Sequence, residues 1–95
     1  MQVMALVPAL NEAATIGDVI TGLAAQMKEV VVVDDGSVDQ TADVARAAGA
    51  TVISHPCTEG KGRAVRTGLA HVLALPRVDY LLILDGDMQH LPQEA

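Results

Sequence analysis

Apolar positions along the chain switch repeatedly between two periods. Val3 to Val7 is a short apolar run closed by Pro8, and it predicts a first strand. From Thr15 the spacing becomes helical. Ile16, Val19, Ile20, Leu23 and Met27 share one face, and Thr15 with Asp18 resembles a capping box that has Asp in place of Glu or Gln. Val30 to Val33 is an unbroken β-branched run ending in Asp34-Asp35-Gly36-Ser37. Apolar on both faces, it suits the centre of a parallel sheet. Asp39 is placed to cap a second helix through Thr41, Val44, Ala45 and Ala48, which Gly49 stops. Thr51 to Ser54 predicts a third strand, and His55 to Gly62 a polar loop. Val65, Leu69, Val72 and Leu73 predict a third helix ending near Pro76, and Tyr80 to Leu84 a fourth strand. Leu91 to Ala95 reads as the opening turn of a further helix.

Strands alternating with helices across short loops mean βαβ units, hence a parallel sheet with right-handed crossovers. The expected fold is α/β, a Rossmann-like parallel sheet in the order 3-2-1-4 with flanking helices. Residues 1–95 are expected to form a single domain, incomplete at its C-terminal end, because a fourth strand without its following helix leaves part of one sheet face uncovered. Exposed apolar surface and self-association through that face are the expected consequences.

Composition narrows the function. The 95 residues carry 12 Asp+Glu against 6 Lys+Arg, a net charge of −6, which opposes the clustered cations that a nucleic-acid binder needs. Aromatic content is 1%, so the core is aliphatic and base stacking on aromatic platforms is excluded. Cys57 is the sole cysteine, so it forms no intramolecular disulfide, and a reducing, cytoplasmic compartment fits. The N-terminus lacks a basic signal-peptide region, and no stretch approaches the ~18 apolar residues of a membrane span. His55, His71 and His90 lack zinc-site spacing, and His71 is expected at a helix surface.

The polar residues cluster at strand ends. Asn11 and Glu12 follow the first strand, Asp34 and Asp35 the second, Glu59 and Lys61 the third, and Asp85, Asp87 and Gln89 the fourth. In an open parallel sheet these loops leave on the carboxyl edge, where ligands bind. Asp85-Gly86-Asp87 places two carboxylates two residues apart, a repulsive pair that a divalent cation relieves. With the neutral oxygen of Gln89, they form a hard-oxygen set suited to Mg²⁺ or Mn²⁺ bridging a diphosphate. At least one of Asp34 and Asp35 is expected to stand free for a nucleoside. The loop Pro8 to Glu12 contains no glycine, which excludes the dinucleotide-binding fingerprint. Gly60-Lys61-Gly62-Arg63 lacks the Ser or Thr that a P-loop places after its lysine.

In combination and in chain order, Val7-Pro8-Ala9-Leu10-Asn11-Glu12, Val31-Val32-Val33-Asp34-Asp35-Gly36-Ser37, Gly60-Lys61-Gly62 and Asp85-Gly86-Asp87-Met88-Gln89-His90 resemble the amino-terminal half of a family 2, GT-A-fold glycosyltransferase. The nearest likeness is to polyprenyl- and dolichyl-phosphate mannosyl- and glucosyltransferases. The resemblance implies a nucleotide-sugar site of the GDP or UDP type. Pro8, Leu10, Asn11, Glu12 and Lys61 would border it, and Val33 and Asp35 would meet base or ribose. Asp85, Gly86 and Asp87 would hold the diphosphate through Mg²⁺ or Mn²⁺, with Gln89 as a further metal ligand. Leu10 departs from the aromatic residue frequent at that place. The implied reaction is hexose transfer to an acceptor, a polyprenyl phosphate among the candidates, on a cytoplasmic or peripheral membrane protein. No general base is evident in the sequence.

The alternative is a nucleotide- or metal-binding or assembly module without transferase activity. An aspartyl phosphatase is disfavoured. Its D-x-D usually has Thr or Val two places after the second Asp, where this chain has Gln89, and lies near the N-terminus, whereas here three βα units come first.

Overall fold

The computed structural model describes residues 2–84. Four strands, β1 (Val3–Ala9), β2 (Glu29–Asp34), β3 (Thr51–Ser54) and β4 (Tyr80–Ile83), alternate with α1 (Ala13–Ala24), α2 (Thr41–Ala47) and α3 (Lys61–Leu73). All neighbouring strands pair in parallel, in the order β3-β2-β1-β4 that the sequence predicts. Alternate residues of the two central strands feed two cores. Ala5, Val7, Ala9, Val30 and Val32 pack with Ile16, Ile20 and Ala45 of α1 and α2. Met4, Leu6, Val31 and Val33 pack with Ala64 and Val72 of α3. Helices therefore cover both faces, and β1 and the Val30–Val33 stretch of β2 are apolar because neither face meets water.

Several boundaries differ from the sequence reading, each for a local reason. β1 continues through Pro8 to Ala9. The Leu6 carbonyl accepts from Leu84 N–H on the β4 side and the Ala9 carbonyl from Asp35 N–H on the β2 side. By alternation, Pro8 nitrogen faces the β4 side, and the β4 pairing reaches only Leu6 opposite Ile83. The missing N–H thus leaves the ladder to β2 intact. The predicted Thr15–Asp18 capping box is not formed. α1 begins two residues earlier, and the Thr15 hydroxyl donates to the Glu12 carbonyl instead. α3 starts at Lys61, inside the stretch predicted as loop, after Gly60 turns the chain with φ 100°.

β4 is an exposed edge among the described residues: Tyr80 is 60% exposed, Leu82 43% and Ile83 49%. No helix among the described residues is long and apolar enough to cross a membrane. The predicted opening turn at Leu91–Ala95 lies outside the described residues.

Candidate functional site

The loops after β1, β2 and β3 meet at the carboxyl edge and are tied together by side chains. Asn11 adopts a left-handed φ of 53°, which asparagine tolerates better than most residues. Its N–H donates to Ser37 Oγ at 2.8 Å, and its Oδ1 accepts Val38 N–H at 2.8 Å. Asp39 takes Ala13 N–H at 3.2 Å on one oxygen and Thr41 N–H at 2.9 Å on the other, so one carboxylate caps the starts of both α1 and α2. Thr41, fully buried, donates its hydroxyl to Asp39 and accepts Glu12 N–H at 2.8 Å. The first two loops therefore behave as one unit, and Asp39 caps α2 as the sequence suggests while also reaching α1.

Asp34 and Asp35 are both buried, 6% and 4% exposed. Both carboxylates have protein partners. Asp34 accepts Ser37 N–H at 3.1 Å and the Ser54 hydroxyl at 3.5 Å. Asp35 Oδ1 accepts Glu59 N–H at 2.9 Å and lies 2.7 Å from His55 Nδ1, while Oδ2 accepts Gly60 N–H at 2.9 Å. Burial alone would raise the Asp35 carboxyl, but these three hydrogen bonds stabilise its ionised form and hold it below the ordinary value of 3.8. An anion is thus fixed against the N-terminus of α3, where the helix dipole favours negative charge.

Beside it opens a cavity of about 220 Å³, lined by Pro8, Ala9, Leu10, Glu12, Asp35, Thr58, Gly60, Lys61 and Ala64. Five residues predicted to bind nucleotide, Pro8, Leu10, Glu12, Asp35 and Lys61, are brought together there. Two others are placed elsewhere: Asn11 is spent on joining the loops, and Val33 is fully buried in the α3-side core. Asp85, Gly86, Asp87 and Gln89 lie outside the described residues, although β4 runs toward the same edge, with Leu84 N–H on the Leu6 carbonyl at 3.0 Å. No cluster of three or more metal-ligating side chains occurs among the described residues. A larger cavity of about 290 Å³ lies at the opposite end, between Leu69, Leu73, Val78 and Tyr80. Its charged rim, Arg77 and Asp79, is paired at 3.3 Å, and it gathers none of the predicted site residues.

Sequence reading missed two contributors. Thr58 lines the cavity because Gly36, at φ 79°, lets the 57–58 backbone approach closely. His55 is buried against Asp35, and its only sequence signal is its position directly after β3. His71 sits on α3 as expected, partly exposed and 3.8 Å from Glu29.

Known proteins are similar to this chain. The chain is 42% identical over 83 residues to the glycosyltransferase AglJ of Haloferax volcanii, a match covering 86% of this chain and 26% of that protein. It is 31% identical over 101 residues to the undecaprenyl-phosphate 4-deoxy-4-formamido-L-arabinose transferase of Shewanella sediminis, covering 94% of this chain and 29% of that one. Among solved structures, the glucosyl-3-phosphoglycerate synthase of Mycobacterium tuberculosis in complex with Mn²⁺, uridine diphosphate and glucosyl-3-phosphoglycerate superposes with a TM-score of 0.75. The identity is 33%, over 90% of this chain and 33% of that one. The chain also spans only 39% and 42% of the length of two matching Methanocaldococcus jannaschii proteins. The family model described as Glycosyl transferase family 2 matches residues 4–95, nearly the whole sequence, and the chain belongs to that family.

Proposed function

We propose that this chain forms the donor-binding part of an inverting glycosyltransferase that moves a hexose from a UDP-type nucleotide sugar to an acceptor. The observation that carries this reading is the carboxyl-edge cavity joining Pro8, Leu10, Glu12, Asp35 and Lys61 at the start of α3. Lys61 lines the cavity at the N-terminus of α3, where a cation and the backbone amides of a helix start suit an anionic diphosphate. The matching synthase structure contains uridine diphosphate and Mn²⁺.

The chemistry of the donor set fits a divalent cation. Asp85, Asp87 and Gln89 offer two carboxylates and a carboxamide oxygen, following a strand that runs to the cavity edge. They would hold Mg²⁺ or Mn²⁺, which supplies positive charge against the departing diphosphate. In the transfer, an acceptor oxygen bonds to the anomeric carbon as the bond from that carbon to the diphosphate oxygen breaks, and the nucleoside diphosphate leaves with the electron pair. A polyprenyl phosphate is the acceptor supported by the Shewanella sediminis relative. Its oxygen is already ionised at neutral pH and needs no general base.

Calorimetry tests this directly. UDP is expected to bind the chain in the presence of Mn²⁺, with affinity lowered at least roughly tenfold by EDTA. No binding of UDP with Mn²⁺ would sink the proposal. A second reading is a nucleotide- or metal-binding module without transfer. A turnover assay with UDP-glucose and a polyprenyl phosphate separates the two, because the module binds UDP and transfers nothing. The exposed β4 residues Tyr80, Leu82 and Ile83 support self-association as a further property of the isolated chain. Sedimentation velocity is expected to show a concentration-dependent dimer, and a monomer at every concentration counts against it.

A further inference from the structure

His55 has both ring nitrogens engaged in a nearly buried position. Nδ1 lies 2.7 Å from Asp35 Oδ1, and Nε2 lies 2.8 Å from Thr67 Oγ1 on α3, with the side chain 9% exposed. Its backbone N–H also donates to the Asp34 carbonyl at 2.9 Å, so ring and backbone are fixed together. An ionised carboxylate only accepts hydrogen bonds, so Nδ1 carries the proton toward Asp35. Each carboxylate oxygen has about two acceptor positions. His55 and the Glu59 amide fill those of Oδ1, whereas among the described residues Oδ2 receives only the Gly60 amide. One acceptor position of Oδ2 is left, on a residue that lines the cavity.

We propose that His55 is a positioning residue for the nucleoside end of the donor: by holding Asp35 Oδ1 from behind, it aims Oδ2 at a ribose hydroxyl. This rests on the donor-site reading above. The ring links β3, the Asp35 loop and α3, so it fixes the direction of the carboxylate as well as its charge. The diphosphate end of the donor has no part in this contact. Loss of the imidazole therefore acts on nucleoside recognition and spares pyrophosphate.

The test is titration of UDP and of inorganic pyrophosphate, each with Mn²⁺, into the parent chain and three variants, with circular dichroism confirming the fold. His55→Ala is expected to lower UDP affinity about tenfold, the size of one lost charge-assisted hydrogen bond, and to change pyrophosphate affinity by less than about twofold. The carboxamide nitrogen of Asn reaches the place of Nδ1, and that of Gln the place of Nε2. His55→Asn is therefore expected within about threefold of the parent for UDP, and His55→Gln near the Ala value. The Asn and Gln pair keeps the test decisive if the Ala variant does not fold. Equal UDP affinities for Asn and Gln, an unchanged Ala variant, or parallel losses for UDP and pyrophosphate would overturn the proposal. A parent chain that does not bind UDP removes the donor-site reading and this inference together, whereas a binding parent with indifferent variants removes this inference alone.

Discussion

Gly36→Ala is expected to destabilise the chain by about 3 kcal/mol, the sum of a left-handed backbone penalty and overpacking against an unyielding neighbour. Gly36 has φ 79°, and a Cβ built on it would lie 2.5 Å from both the Cys57 carbonyl carbon and the Thr58 nitrogen. Those atoms are backbone, so relief requires the 57–58 loop to move. That loop carries Thr58 into the cavity and leads to the two amides that bind Asp35. For a domain of this size the thermal midpoint should fall by roughly 12–24 °C. Gly49 provides the control: φ is 102°, but nothing lies within 4 Å of its missing Cβ. Gly49→Ala should therefore cost only the backbone penalty, about 1 kcal/mol. Urea unfolding of the two variants decides the matter. Equal losses would mean that conformation alone, and not the approach of the 57–58 backbone, demands glycine at position 36.

What was legible in the sequence was mostly what is local. The β-branched run Val30 to Val33 announces a central strand because burial on both faces leaves no polar position, and β3 is found at its predicted ends. The strand order matches the doubly wound arrangement expected by analogy, since right-handed crossovers alone permit other orders. Helix starts were harder because their caps come from far along the chain. Asp39 and Thr41 serve Ala13 and Glu12 across 26 and 29 residues, so the nearby Thr15 and Asp18 offered a misleading local pattern. α3 likewise begins earlier than its own apolar spacing shows, since Asp35 organises the Gly60 turn from 25 residues away. In the site, residues flanking strand ends converge because topology alone takes them to one edge. Asn11 shows the limit of that logic: it reaches the right edge and is consumed in joining two loops. His55 shows the opposite limit, because a lone histidine has no pattern until the fold sets Asp35 beside it.

Asp35→Asn is the other large effect expected, and it acts through charge as well as contacts. The carboxylate faces three N–H groups, from His55, Glu59 and Gly60. An asparagine side chain presents one oxygen and one NH₂, so at least one of those donors meets another donor in a buried place. The expected loss at neutral pH is about 3 kcal/mol, the upper part of the range for leaving a buried donor unsatisfied. The acid dependence distinguishes this from simple misfit. Burial raises the Asp35 carboxyl and its hydrogen bonds outweigh that, leaving it below the ordinary 3.8. The folded chain therefore binds fewer protons than the unfolded chain between the two values, and its stability falls as pH drops through that window. Asp39, lowered chiefly by the Thr41 hydroxyl, and Asp79, lowered chiefly by the Gln2 amide, act in the same direction. The parent is thus expected to keep its full carboxylate stabilisation above the ordinary value and lose it progressively below. The variant, lacking one of the three groups, should lose less over the same interval. Plotted against pH, the two stability curves converge on acidification, whereas curves that stay parallel would show that the Asp35 charge contributes nothing and that only the amide mismatch matters.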